Sequence, residues 1–192
     1  MTPSFELYKI AVNACVDVYD KNKSLGTTQY DYSLKEIDGI LTQIISVAGT
    51  NELGDIPRNL NLWSRKGIKV GAYEAALEII ADVELIPDVP LAIFGHSKGG
   101  ATAIALTRIL KSKKPICVVF SPARCLRYWI NRTMKNVIMF IEPDDWVTQI
   151  LGIFSFGLPR CKIIKAPKDH WLYSIGDHKM KHWKAYVMEL IS

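Results

Sequence analysis

Apolar and polar residues recur along this chain with two different periods, and the period switches several times. FELYKIAVNACVDVYD (5–20) carries apolar residues at helical spacing and predicts an amphipathic helix. KNKSLGTTQYD (21–31) is polar and reads as a turn-prone connector. YSLKEIDGILTQIISVAGT (32–50) predicts a hairpin, two strands around Asp38-Gly39, a pair suited to positive φ. Its second half, ILTQIISVA, is β-branched and apolar, as a buried central strand should be. NELGDIPRNLNLWSRKG (51–67) is expected to be a polar loop or a short helix. KVGAYEAALEIIADVELI (69–86) returns to helical spacing and Pro87 closes it.

VPLAIFGHS (89–97) predicts a short buried strand and GGATAIALTRILKSKK (99–114) a strong helix. PICVVFS (115–121) and VIMFIEP (137–143) read as strands, and PARCLRYWINRTMKN (122–136) between them points to no single element. DDWVTQILGIFSFGLPR (144–160) reads as an apolar connector, CKIIKAP (161–167) as the last strand and HKMKHWKAYVMELI (178–191) as the last helix. Strands that alternate with helices predict an α/β fold: a mostly parallel central sheet with helices on both faces, and a hairpin strand near the N-terminus.

Composition narrows the class. With 192 residues, 49% of them apolar and 22% charged, the chain is expected to form one globular domain over 1–192 rather than a disordered segment. No run approaches the roughly 18–20 apolar residues of a membrane span, and MTPSFELYKIAVNAC lacks the pattern of a secretory signal. Cys15, Cys117, Cys125 and Cys161 form no C-x-x-C pair, which argues against a zinc or dithiol site; Cys15 and Cys117 read as small buried hydrophobes. Free thiols favour a reducing, cytoplasmic setting. The net charge is +5, with lysines gathered at 111–114 and 168–184. That pattern fits a solvated basic face, or attraction to anionic membrane surfaces or substrates, with the protein peripheral at membranes; no motif points to nucleic acid.

The candidate chemistry lies in LAIFGHSKGGATAIAL (91–106), where G-H-S-K-G fits G-x-S-x-G between a strand and a helix. Lifting a serine hydroxyl off a strand end requires a sharp, strained turn, and the positions two before and two after it crowd together. Gly95 and Gly99 remove that clash, and Gly100 lets the helix approach the next strand. The amides at the helix N-terminus favour negative charge near Ser97. A serine nucleophile needs a base, and the base a carboxylate, in the chain order Ser, acid, His. Glu142, Asp144 and Asp145 follow a late strand; Asp145 is preferred and Asp144 is second, the alternative being turn residues that bind backbone amides. Of the histidines, His96 abuts Ser97 and reads as structural, and His182 falls within the last helix. His178, after the Gly176 turn, is preferred as base, with His170 as the alternative.

Four segments in order give the chain a resemblance, over roughly residues 33–190, to the lipase class 3 (fungal lipase-like) family of the α/β-hydrolase fold. ISVAGTNE resembles the family's oxyanion strand, FGHSKGGATAIAL its nucleophile elbow, VVFSPAR its F-G-S-P-R strand end and DDWVT its D-x-V-P segment. The last of these favours Asp145 over Asp144. The resemblance implies a serine ester hydrolase without metal or cofactor, acting on a lipid or other acyl ester through Ser97, His178 and Asp145. It assigns the oxyanion hole to Thr50 and to the Lys98 backbone amide, and Thr50 also ends a central strand at the edge where Ser97 should emerge.

It implies a lid over 51–67, with Ile56, Leu60, Leu62 and Trp63 as apolar contacts. The 146–159 stretch, opened by Trp146, would line an acyl pocket, touch a bilayer or simply pack in the core. The chain departs from the family pattern at Lys98, usually apolar there, and at Ala48, usually arginine. Its histidine surroundings are atypical, and DHWLYS around His170 partly mimics the family. Two other readings follow: a catalytically silent binding module on the same fold, and a thioesterase, peptidase or acyltransferase with the same nucleophile.

Overall fold

The computed structural model describes residues 3–20, 24–25, 28–49, 63–141, 156–166 and 180–190. Its centre is a seven-stranded sheet. Five parallel strands occupy one side in the spatial order β3 (Ile40–Val47), β6 (Leu91–His96), β7 (Ile116–Phe120), β9 (Thr133–Ile141) and β11 (Arg160–Lys165). β2 (Thr28–Ile37) joins β3 antiparallel, and β1 (Ser24–Leu25) pairs with β2 at the edge.

Each buried strand serves two cores because its side chains alternate. In β6, Leu91 and Ile93 point into one core and Ala92 and Phe94 into the other. α2 (Val70–Asp82) and α3 (Ser97–Ile109) cover the first core, and α1 (Phe5–Asp17) and the last described helix, α4 (Met180–Leu190), cover the second. The predicted two-faced α/β sheet is therefore present. α3 is buried nearly all round, and its small Ala101, Ala103 and Ala105 let the sheet and α2 approach from different sides. On the far face Trp183 of α4 packs against Phe120 and Phe140. Burying one such aromatic is worth about 2–3 kcal/mol.

The Asp38-Gly39 hairpin turns where predicted, with φ of 51° and 76°, values that suit a tight turn matched to strand twist. The connector is a correction. β2 starts at Thr28, so TQYD is strand rather than turn. The reason is tertiary: Tyr30 is fully buried and its hydroxyl donates to the Asp82 carboxylate at the end of α2.

A second, four-stranded sheet replaces parts of three segments read as loop or left unassigned, and takes Lys69 from the start of the expected 69–86 helix. β4 (Ser64–Arg65), β5 (Ile68–Lys69), β8 (Leu126–Arg127) and β10 (Phe156–Gly157) pair antiparallel in the order β10-β8-β5-β4. Two-residue strands leave no periodicity to read, and two of the pairings span tens of residues. The unassigned 122–136 also supplies the first residues of β9, which begins at Thr133. Among the described residues, no helix is long and apolar enough to cross a membrane.

Candidate active site

β6 ends at His96, α3 begins at Ser97, and nothing intervenes. Ser97 therefore makes the whole turn itself, with φ of 54°. A side chain in that region costs roughly 1–3 kcal/mol, a strain that persists only where the surroundings impose it. Here they do. A Cβ on Gly95 would lie 2.5 Å from the Gly99 carbonyl oxygen, and one on Gly99 would lie 2.3 Å from the carbonyl oxygens of both Val47 and Ala48. The two glycines thus permit both the tight turn and the seating of α3 on the end of β3. Gly100 faces Pro122, whose Cβ would be 2.9 Å away, so its close approach is to the segment after β7. The Ala123 amide donates to the Ser97 carbonyl at 3.0 Å and fixes the turn from that side.

Ser97 is half-buried and not sealed in the interior. The end of β3 lies against it: a Cβ on Gly49 would be 3.0 Å from Ser97 Cβ and 3.1 Å from the His96 carbonyl oxygen. Gly49 is thus required where the chain leaves β3. Lys98 occupies the first turn of α3, where backbone N–H groups have no helical acceptor. Its side chain contributes to a cationic environment: Lys69 is held below the usual lysine range mainly by burial and further by the Lys98 charge, against an opposing pull from Cys125.

One group in the site has no signal in the sequence. Tyr19, in the turn after α1 (Val18–Asp20), accepts a hydrogen bond from the Gly49 amide at 2.8 Å, and its hydroxyl lies 2.7 Å from His96 Nδ1. With its oxygen taking the Gly49 N–H, the phenol hydrogen is free to point to Nδ1. Burial pushes the Tyr19 phenol far above its usual range, so it stays a neutral donor. His96 is buried and held by this contact, which bears out its structural reading. Tyr19 thus ties the strand end before Thr50 to the residue before Ser97.

Thr50, Asp144, Asp145, Trp146, His170 and His178 lie outside the described residues, as does 51–62. Trp63 stands at the entrance to β4 and is 78% exposed. Cys15, Cys117 and Cys125 are buried free thiols, the last two pushed up to about 12 mainly by burial, as expected of small core residues. Among the described residues no cluster of three or more His, Cys, Asp or Glu could hold a metal.

No protein-family model matches the sequence, and no curated protein matches it. Solved structures do. A mono- and diacylglycerol lipase from Aspergillus oryzae superposes with a TM-score of 0.58 at 16% identity, over 92% of this chain and 85% of that one. The Rhizomucor miehei triacylglyceride lipase gives 0.58 at 14% identity, over 82% and 77%. The Yarrowia lipolytica LIP2 lipase gives 0.54 at 13%, over 85% and 79%. The fold is that of the fungal lipases. At such identities the likeness concerns the fold alone, so chemistry must be argued from residues. Within the lipase fold, Ser97 stands at the carboxyl end of a central parallel strand, the edge at which open α/β sheets bind ligands.

Proposed function

We propose that this protein is a serine ester hydrolase that cleaves acyl esters of lipids. The observation that carries the reading is the left-handed backbone of Ser97 between β6 and α3, held by Gly95 and Gly99 with Gly49 alongside. The arrangement offers a hydroxyl at the N-terminus of a helix and beside the end of a strand, as acyl transfer requires.

In the proposed reaction, His178 takes the proton from Ser97 Oγ as the oxygen attacks the ester carbonyl. Asp145 fixes the imidazole and stabilises its positive charge. The Lys98 amide and Thr50 receive the oxyanion, and each such donor is worth about 3–4 kcal/mol of barrier. The carbon–oxygen bond to the alcohol breaks as His178 returns the proton to it. Water, deprotonated by the same histidine, then releases the acid from the acyl-enzyme. Trp63 and Trp146 are proposed as substrate contacts.

A fluorophosphonate probe tests the reading. Wild-type protein should be labelled at Ser97 and hydrolyse short-chain nitrophenyl esters. His178→Ala should abolish both where His170→Ala does not, and Asp145→Asn should slow both more than Asp144→Asn. Folded protein that takes up no probe would refute the assignment.

A further inference from the structure

The small sheet has a tip built by two turns side by side. One is Lys66-Gly67 between β4 and β5, with φ of 51° and 76°. The other follows β8 at Tyr128 and Trp129. The Arg127 amide donates to the Gly67 carbonyl at 2.9 Å, and Ile130 packs against Gly67 so closely that a Cβ there would meet it at 2.3 Å. Large aromatics are exposed at and near this tip: Trp129 is 70% exposed, and Tyr128 and Trp63 are exposed too. Cations stand among them. Arg65 and Lys66 are exposed, the Arg127 guanidinium lies 4.9 Å from the Trp129 ring centre, and that of Arg132 lies 4.7 Å from Tyr128. Residues 63–69, 122–136 and 156–166 contain lysine and arginine throughout and no aspartate or glutamate.

We propose that this tip docks the protein on a bilayer surface bearing anionic headgroups. Tryptophan and tyrosine rings are amphipathic and favour the headgroup region. Exposed cations such as Arg65 and Lys66, on a described stretch that itself carries no carboxylate, are drawn to anionic lipid, and the attraction fades within a Debye length. The basic run at Lys111–Lys114 has charge without aromatics, so it supplies an internal control. The tip is also near the nucleophile. The Ala123 amide is bonded to the Ser97 carbonyl, and the six residues from there to Trp129 span at most about 20 Å. The inference deepens the hydrolase reading by naming the surface on which that site works. Docking is read without turnover, so the two ideas fail separately.

The test is sedimentation of the full chain, wild type and Ser97→Ala, with phosphatidylcholine vesicles and with vesicles of phosphatidylcholine mixed with phosphatidylglycerol. Both proteins should bind the mixed vesicles, weakly bind the neutral ones, and release as salt rises. Arg65→Gln with Lys66→Asn should weaken binding roughly 25-fold, from about fivefold per cation. Asparagine is chosen at position 66 because it tolerates positive φ. Trp129→Ala should weaken binding several-fold and carries the test alone if the double variant melts early. Lys111→Gln with Lys113→Gln should bind as wild type. Equal binding to both vesicle types would overturn the proposal. So would full binding by the tip variants, an equal loss in the Lys111 and Lys113 control, or tighter binding to single-stranded RNA than to mixed vesicles at the same salt.

Discussion

Two serines end two neighbouring parallel strands of this sheet, and both have left-handed backbones. Ser97 follows β6 with φ of 54°, and Ser121 follows β7 with φ of 41°. Their surroundings differ. Ser97 leads straight into a helix, is framed by glycines and is half-buried. Ser121 precedes Pro122, starts no helix and is fully buried; the Trp183 indole N–H donates to its hydroxyl at 3.2 Å. Backbone strain is therefore common to a structural and a candidate catalytic serine. What separates them is the space that glycine opens and the helix N-terminus behind it. At Ser121 the strain serves packing, since it aims the hydroxyl at an aromatic anchor of the far core.

The comparison can be broken most severely at the nucleophile. Ser97→Ala should lower turnover by on the order of a million-fold and leave no labelling by the fluorophosphonate probe, because Ser121 is sealed. Residual labelling traced to Ser121 by peptide mapping would reverse the roles given to the two serines. Next in size is Gly99→Val. Its side chain would start 2.3 Å from two backbone carbonyls, so α3 must lift off β3. A loss of about 3 kcal/mol or more in urea unfolding is expected, with labelling lost even where protein remains folded.

Tyr19→Phe sharpens the picture. It removes the acceptor of the half-buried Gly49 amide, at a cost of about 1 kcal/mol. If Tyr19 positions the strand end before Thr50, probe labelling slows while KM for a short-chain ester holds; a lowered melting temperature with unchanged labelling would make it structural only. Ser121→Ala should cost about 0.5–1.5 kcal/mol through the lost indole bond and leave the labelling rate at the wild-type value. The smallest effect has the opposite sign. Gly71 lies in the first turn of α2 with open space where its Cβ would be, so Gly71→Ala should raise stability by about 0.5–1 kcal/mol.

The parts of the molecule that were readable beforehand are those whose cause is local. The β6–α3 elbow was legible because five consecutive residues carry its whole steric demand. The Asp38-Gly39 hairpin was legible for the same reason, and α1, α2, α3 and α4 each carry enough turns for a period to show. The second sheet was not, because Ile68–Lys69 and Phe156–Gly157 are joined into one sheet only by pairing with Leu126–Arg127, tens of residues away. TQYD looked like turn chemistry because its polar residues gave no sign that Tyr30 would be buried against Asp82. The site divides the same way: Ser97 and its glycines were found from spacing, and Tyr19 was not.

The sequence by itself determined that one serine would sit strained between a buried strand and a helix, since sterics within a pentapeptide decide it. It also determined that helices would cover both faces of the sheet, since side-chain alternation along each strand demands two cores. Only the tertiary structure decided that Gly49 would lie against Ser97, that Tyr19 would hold both flanks, and that the Tyr128-Trp129 turn would meet the Lys66-Gly67 turn at one basic tip. Those depend on which strands become neighbours, and neighbours are chosen by the free energy of the whole packed sheet rather than by any short stretch of chain.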